Sequence, residues 1–483
     1  MILDANQILA LAPDAASAKA GSQLALPRNW SNLGRNDAAL WGECQGSGKN
    51  PYRTQIDLGE PAFKCSCPSR KFPCKHGLGL YLLLDAEPSL FNSGDAPGWV
   101  RDWLQSRQDR QEKKADKAAA KPEQSPEAAA ASLAQARKRE EKREEKVDAG
   151  LRELQTWLHD LAREGLASVR SRGQGFWDAI AARMVDAQAA PLAWRLRRAG
   201  GMLYQSSLPD AEQLAAHELA SLYLLCEAWK RRDRLPPALQ ADVRTLLGWT
   251  VSQEDVLRET AVTDRWRILS QTVSEDERLR VRANWLHGVA SGRWALVLQY
   301  AAGTQGFEQA LNPGTAFDGA LHFYPGAFPL RALVGQQSEV RSLADGPDSA
   351  PGISAAGSAG TGIGVGTVET SKAGASIDKL LDAYAHALAV QPFLDRFPAL
   401  LAGLVADGVN GVNGVHGGGT ASLRDAQGRR IDLHPSFRHS AWLLALSGGH
   451  PLTLFGEWDG RALLPLSVWH AGRLYNIDTD FIV

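Results

Sequence analysis

The chain has 483 residues, a formal net charge of −1, 44% hydrophobic residues and 15 Trp. That length exceeds a single core and predicts roughly two to four domains, with enough apolar surface to exclude a mostly disordered chain. The near-neutral balance excludes a surface coated in positive charge for DNA, so any nucleic-acid contact has to come from a local patch.

At the N-terminus, Met1-Ile2-Leu3-Asp4-Ala5-Asn6 lacks a basic segment and carries an early acid, which is not the pattern of a secretory signal. The apolar run Leu78 to Leu84 falls far short of the ~20 residues of a membrane span. No membrane association is expected, and a cytoplasmic setting keeps thiols reduced. Five cysteines, three of them between positions 65 and 74, therefore point to a metal rather than to disulfides.

The segment Lys64-Cys65-Ser66-Cys67-Pro68-Ser69-Arg70-Lys71-Phe72-Pro73-Cys74-Lys75-His76 reads C-x-C-x6-C-x-H. Three thiolates and one imidazole make the tetrahedral set that Zn2+ takes in closed structural sites. Residues two apart on an extended strand point the same way, so Cys65 and Cys67 can converge on one ion. Pro68 and Pro73 punctuate a loop that returns the chain, and Cys74 and His76 sit where an apolar helix begins. A helix N-terminus favours thiolate through its unpaired amides and dipole. Three thiolates on one zinc leave a formal charge of −1, which Lys64, Arg70, Lys71 and Lys75 offset. The same four cations form a basic rim, a candidate contact for nucleic acid or a partner. Cys44 and Cys226 each stand alone and are read as buried thiols.

At these residues the chain resembles the SWIM-type zinc finger, C-x-C followed by a variable gap and C-x-H, and in its surrounding phrases it resembles bacterial stand-alone SWIM proteins. The resemblance covers about residues 36–85. It implies a β-hairpin followed by a helix, and the local sequence agrees. Ala39-Leu40-Trp41-Gly42-Glu43-Cys44 and Tyr52-Arg53-Thr54-Gln55-Ile56-Asp57-Leu58 read as strands around the turn Gly46-Ser47-Gly48-Lys49-Asn50. SWIM modules are associated with DNA binding and with protein–protein interaction. Stand-alone bacterial ones are associated with MoxR-type ATPases and von Willebrand A-domain proteins.

Beyond an N-terminal domain at 1–104, residues 105–148 turn to Lys, Arg, Glu, Gln and Ala, interrupted by Pro122 and Pro126. This is the composition of a solvated linker ending in an exposed helix. Residues 149–248 read as a helical domain, with Leu151, Leu154, Leu158 and Leu161 at three- and four-residue steps. Residues 249–335 shift to period two and predict an antiparallel sheet, with strands at Arg265–Leu269, Leu279–Arg282 and Trp294–Tyr300. Residues 336–376 are Gly- and Ser-rich and read as a linker. A C-terminal α+β region at 377–483 combines helices such as Leu380 to Leu404 with strands around Leu452–Phe455 and Leu463–Trp469, candidates to complete the earlier sheet. The fold class is α+β and multidomain.

Catalytic signatures are absent. Gly46-Ser47-Gly48-Lys49 has the flavour of a phosphate loop, but Glu43 stands where a glycine is required and Asn50 replaces the Ser or Thr. Gly360-Thr361-Gly362-Ile363-Gly364-Val365-Gly366 lacks the preceding strand and following helix of a dinucleotide site. His217-Glu218 lacks the second histidine of a zinc protease, and no Gly-x-Ser-x-Gly elbow occurs. A non-enzymatic zinc-binding adaptor is expected, acting with a protein partner. DNA binding through the basic rim is the alternative.

Overall fold

Alternating and helical hydrophobic periods along the chain resolve into successive units, together α+β, in the computed structural model, which describes residues 5–9, 11–12, 15–46, 50–59, 62–69, 73–119, 126–204, 210–276, 279–302, 307, 309, 311–338, 341–342, 376–406 and 421–477. Side chains of residues 6–7, 15–16, 110–133, 276 and 341–342 fall outside this description.

The first unit opens with α1 (Ala5–Leu9) and α2 (Ala15–Leu24). Strands β1 (Trp30–Arg35), β2 (Ala39–Cys44), β3 (Tyr52–Asp57) and β4 (Ala62–Cys65) follow, then α3 (Lys75–Ala86), β5 (Asn92–Ser93) and α4 (Gly98–Ala119). The sheet order is β4-β3-β2-β1-β5. The predicted hairpin is present, with Cys44 opposite Tyr52 and Ala39 opposite Asp57. Helix α3 buries every residue from His76 to Leu84, because the sheet covers one side and α1 and α2 cover the other. On the far side of the sheet, α4 packs Val100 against Ala39 and Trp41. Arg107 ties α4 back to Asp57 on β3 at 3.1 Å.

The second unit is helical: α5 (Pro126–Glu164), α6 (Leu166–Val169), α7 (Gln174–Asp186), α8 (Ala190–Tyr204), α9 (Ala211–Lys230) and α10 (Pro237–Leu246). Leu151, Leu154, Leu158 and Leu161 form the buried stripe that their spacing predicts, and they share a core with Trp177, Leu222 and Trp229. The charged stretch, read as a solvated linker ending in an exposed helix, runs into the first half of α5; its described side chains are mostly exposed, yet several of its acids are engaged. Glu140 and Glu144 pair with Arg244, Glu144 and Asp148 with Arg232, and Val147 is fully buried. Trp229 and Trp249 stack at 5.1 Å; their indole nitrogens donate to Asp148 and Glu140, and Arg143 lies over Trp249 at 4.0 Å. Alternating charge left the stretch without a hydrophobic period, so this ion-pairing face was not legible locally.

After α11 (Gln253–Arg258), the chain builds β6 (Val262–Asp276), β7 (Leu279–Gly288), β8 (Trp294–Ala302), β9 (Thr315–Phe323), β10 (Ala332–Gln337) and β11 (Arg341–Ser342). The predicted strands all lie within β6, β7 and β8, while β10 and β11 extend into the segment read as a linker. The sheet runs β10-β9-β6-β7-β8 and closes on itself where Leu296 bridges Arg331 in parallel. Its interior holds Trp266, Ile268, Leu286, Phe317 and Leu321.

The last unit begins with α12 (Ile377–Val390) and continues through β12 (Phe397–Ala406), β13 (Ser422–Arg424), β14 (Arg430–Asp432), α13 (Ser440–Ser447), β15 (Leu452–Trp458), β16 (Leu463–His470) and β17 (Arg473–Asn476). Residues 397–404, expected to be helical, are strand. Their neighbours Leu452–Trp458 pair with them residue by residue, and tertiary hydrogen bonding overrides local propensity. These strands do not complete the earlier sheet; they form their own, ordered β14-β13-β12-β15-β16-β17, closed by a parallel bridge from Leu433 to Leu463. The two sheets pack face to face through Trp285, Trp294 and Leu296 on one side and Leu400, Phe455 and Leu466 on the other. Trp285 donates to Glu457 at 2.8 Å, and Asn476 exchanges two hydrogen bonds with the Gln271 backbone. Among the described residues no helix is long and apolar enough to cross a membrane. The glycine run at 360–366 lies outside the described residues.

Two outcomes follow from this packing. A Cβ on Gly200 of α8 would stand 2.4 Å from Cγ of the fully buried Trp177, so Gly200→Ala should cost about 1–3 kcal/mol in urea denaturation. Asp242 of α10 accepts the Ala327 amide at 2.7 Å across the helical–sheet boundary. Burial pushes its carboxyl up to about 6, against hydrogen bonds from Ala327 and Gln391 that pull it down. The folded state therefore holds this proton to higher pH than the unfolded chain, and its contribution to stability is lost as pH rises from about 4 to about 6. The stability difference between wild type and Asp242→Asn should shift by on the order of 1–2 kcal/mol in favour of the variant across that window, measured by urea denaturation at each pH.

Candidate metal centre

Four elements of local structure place the cysteine–histidine ligands. Cys65 ends β4, held in register by pairing with Thr54 on β3. One residue later the ladder continues: Ser66 donates its amide to the Arg53 carbonyl at 3.0 Å and accepts the Arg53 amide on Oγ at 2.9 Å. That anchor turns Cys67 into the loop. Cys74 then occupies the N-cap of α3 in an extended conformation, and His76 stands in the first helical turn.

The four ligand atoms lie within 4.8 Å of one another, and among the described residues this is the one such grouping of three or more metal-type side chains. His76 faces the thiols through Nδ1, 3.7 Å from Cys65 Sγ and 3.9 Å from Cys74 Sγ. A tetrahedral zinc with ordinary bond lengths separates its ligand atoms by about 3.5–3.8 Å, so the donors sit close to the corners that zinc requires. Cys74 and His76 are buried, and Cys65 and Cys67 are partly exposed.

Among themselves the thiols compete for protons. Hydrogen bonding to Cys67 and Cys74, then burial, pushes the Cys65 thiol far up. The bonds from Cys65 and Cys74, with the Ser69 amide, hold Cys67 far down as thiolate. Burial pulls the His76 imidazole down, but its hydrogen bonds to Cys67 and Cys74 outweigh that and lift it to about 9. Thiolate and neutral imidazole are the metal-binding forms, so a divalent cation entering this cluster releases protons on binding.

Three groups besides the ligands support the site, two of them outside the motif and one at a variable position within it. Thr54 Oγ1 is 3.3 Å from Cys65 Sγ, the Tyr52 ring lies 5.0 Å from that of His76, and the Ser69 amide serves Cys67. Tyr52 and Thr54 stand two apart on β3 and so share a face, a signal visible in the hairpin once its register is set. Such groups orient ligands and restrain their charge.

The basic rim is seen in part. Lys64 on β4 and Lys75 at the start of α3 are exposed, whereas Arg70 and Lys71 lie outside the described residues. Cys44 is fully buried behind the cluster, and burial pushes its thiol up to about 11. Cys226 is also fully buried, in the helical core, and burial pushes it up to about 12. Both are packing residues, as the sequence implies.

No curated protein and no solved structure matches the chain. Two family models do match, over less than a third of its length. The chain carries a SWIM zinc finger at residues 52–85 and a SWIM-associated four-helix bundle domain at residues 142–247.

Proposed function

We propose that this protein is a non-enzymatic, zinc-stabilised adaptor whose finger holds its N-terminal unit in shape for recognition of a protein partner. The observation that carries this is the convergence of Cys65, Cys67, Cys74 and His76 from a strand end and a helix start. Four protein ligands leave no open vertex for water or substrate, which is the arrangement of a structural site. The ion joins β4 to the N-terminus of α3, the helix around which the whole first unit packs. A MoxR-type ATPase with a von Willebrand A-domain protein is the partner assembly that the resemblance to stand-alone SWIM proteins favours.

Purified protein should hold about one zinc per chain by elemental analysis. Cys74→Ala should lose most of it and open residues 30–86 to limited proteolysis, while the helical unit stays protected. Zinc below half an equivalent, or unchanged in Cys74→Ala, contradicts the assignment. For the adaptor role, affinity capture of the intact chain should recover a protein partner that Cys74→Ala no longer retains.

The exposed Lys64 and Lys75 beside the cluster support the alternative of DNA contact through the finger. Binding there should weaken steeply with salt and fall when both lysines are replaced by alanine. Absence of binding at low salt removes it.

A further inference from the structure

The two barrels follow one plan. In the first, β6 pairs with β7 and with β9, β7 with β8, and β9 with β10, all antiparallel. In the second, β12 pairs with β13 and with β15, β13 with β14, and β15 with β16, again all antiparallel. Numbered within each barrel, strand 1 meets 2 and 4, strand 2 meets 3, and strand 4 meets 5. Strand 3 then closes onto strand 5 in parallel, through Leu296 and Arg331 in one case and Leu433 and Leu463 in the other. Each first strand is bulged, between Ile268 and Ser270 and between Leu401 and Leu404, where it bends to serve two walls. In the second barrel a helix, α13, stands between strands 3 and 4. This is the five-stranded Greek-key barrel that binds oligonucleotides or oligosaccharides across strands 2 and 3 and the loops 1–2 and 4–5.

The corresponding face of the first barrel is half used. Trp285, Trp294 and Leu296 are covered by the second barrel. Further along strand 3, Tyr300 is 45% exposed. Loop 4–5 joins strand 5 at Arg331, whose guanidinium lies over the Tyr324 ring at 4.3 Å and donates to the Tyr300 hydroxyl at 3.5 Å. Among the described residues no carboxylate pairs with the exposed Arg331. An exposed ring beside an uncompensated cation matches a base next to a phosphate. A neutral sugar chain would leave the guanidinium without a counter-charge.

We propose that the Tyr300–Arg331–Tyr324 edge of the first barrel binds single-stranded nucleic acid, with a base stacked on Tyr300 and a phosphate on Arg331. Tyr324 holds the guanidinium in place. This site is separate from the zinc finger and independent of its role.

The test is fluorescence anisotropy of a labelled oligo-dT and a labelled oligo-rU with the full-length, zinc-loaded chain at low salt. Saturable binding that weakens with salt is expected. Tyr300→Ala should reduce affinity about 10-fold, and Tyr300→Phe, which keeps the ring, should retain it. Arg331→Gln should weaken binding and flatten its salt dependence by about one ion. Circular dichroism confirms that these surface variants fold. The proposal is overturned by no binding, by affinity unchanged in Tyr300→Ala and Arg331→Gln, or by loss only when Lys64 and Lys75 are replaced. Displacement of the labelled strand by a neutral oligosaccharide also overturns it.

Discussion

Thiolates brought within 4.8 Å of one another repel strongly unless a proton or a cation stands between them. That repulsion makes the junction of β4 and α3 depend on what it binds. With a divalent cation at the centre, Cys65, Cys67, Cys74 and His76 become a clamp between a strand end and a helix start. Exposed Lys64 and Lys75 offset the residual negative charge, and the helix dipole adds to them. The fixed angle of α3 matters because the helix is apolar on every side. It can be stable only while the sheet and the α1–α2 pair both cover it.

The same logic of covered faces extends through the chain. The helical unit uses the charged half of α5 as a wall, joined by ion pairs to Arg232 and Arg244 and by hydrogen bonds to two stacked tryptophans. Surface ion pairs contribute little one by one, but here they surround a stacked aromatic pair and a buried Val147. The two barrels remove exposed strand edges by closing, then bury part of their outer walls against one another. The finger thus stands in the first of a series of units, each packed around its own core.

Local motifs were readable where their partners lie close in sequence. The C-x-C-x6-C-x-H set, the hairpin of residues 39–57 and the start of α3 at position 75 all depend on residues within about forty positions of each other. The leucine stripe of α5 was equally plain. Misreadings fell where distant pairing decides. Phe397–Ala406 has helix-compatible composition yet is strand, because Leu452–Trp458 lies alongside it. The pairing of Glu140, Glu144 and Asp148 is invisible locally, because Arg232 and Arg244 come from more than 80 positions later. Tyr52 and Thr54 carry no motif, and only the strand register sets them against His76 and Cys65.

By itself, the sequence determined the Cys3His donor set, whose ligand types suit zinc before any fold exists. It also determined the α+β character, through hydrophobic period. The tertiary structure alone decided that the sheet strands form two barrels of one design. Closure joins Leu296 to Arg331 and Leu433 to Leu463, pairs about thirty residues apart whose contact leaves no trace in local periodicity. Only that closure brings Tyr300 and Arg331 to one edge, because cross-barrel neighbours are set by strand pairing and shear rather than by sequence distance.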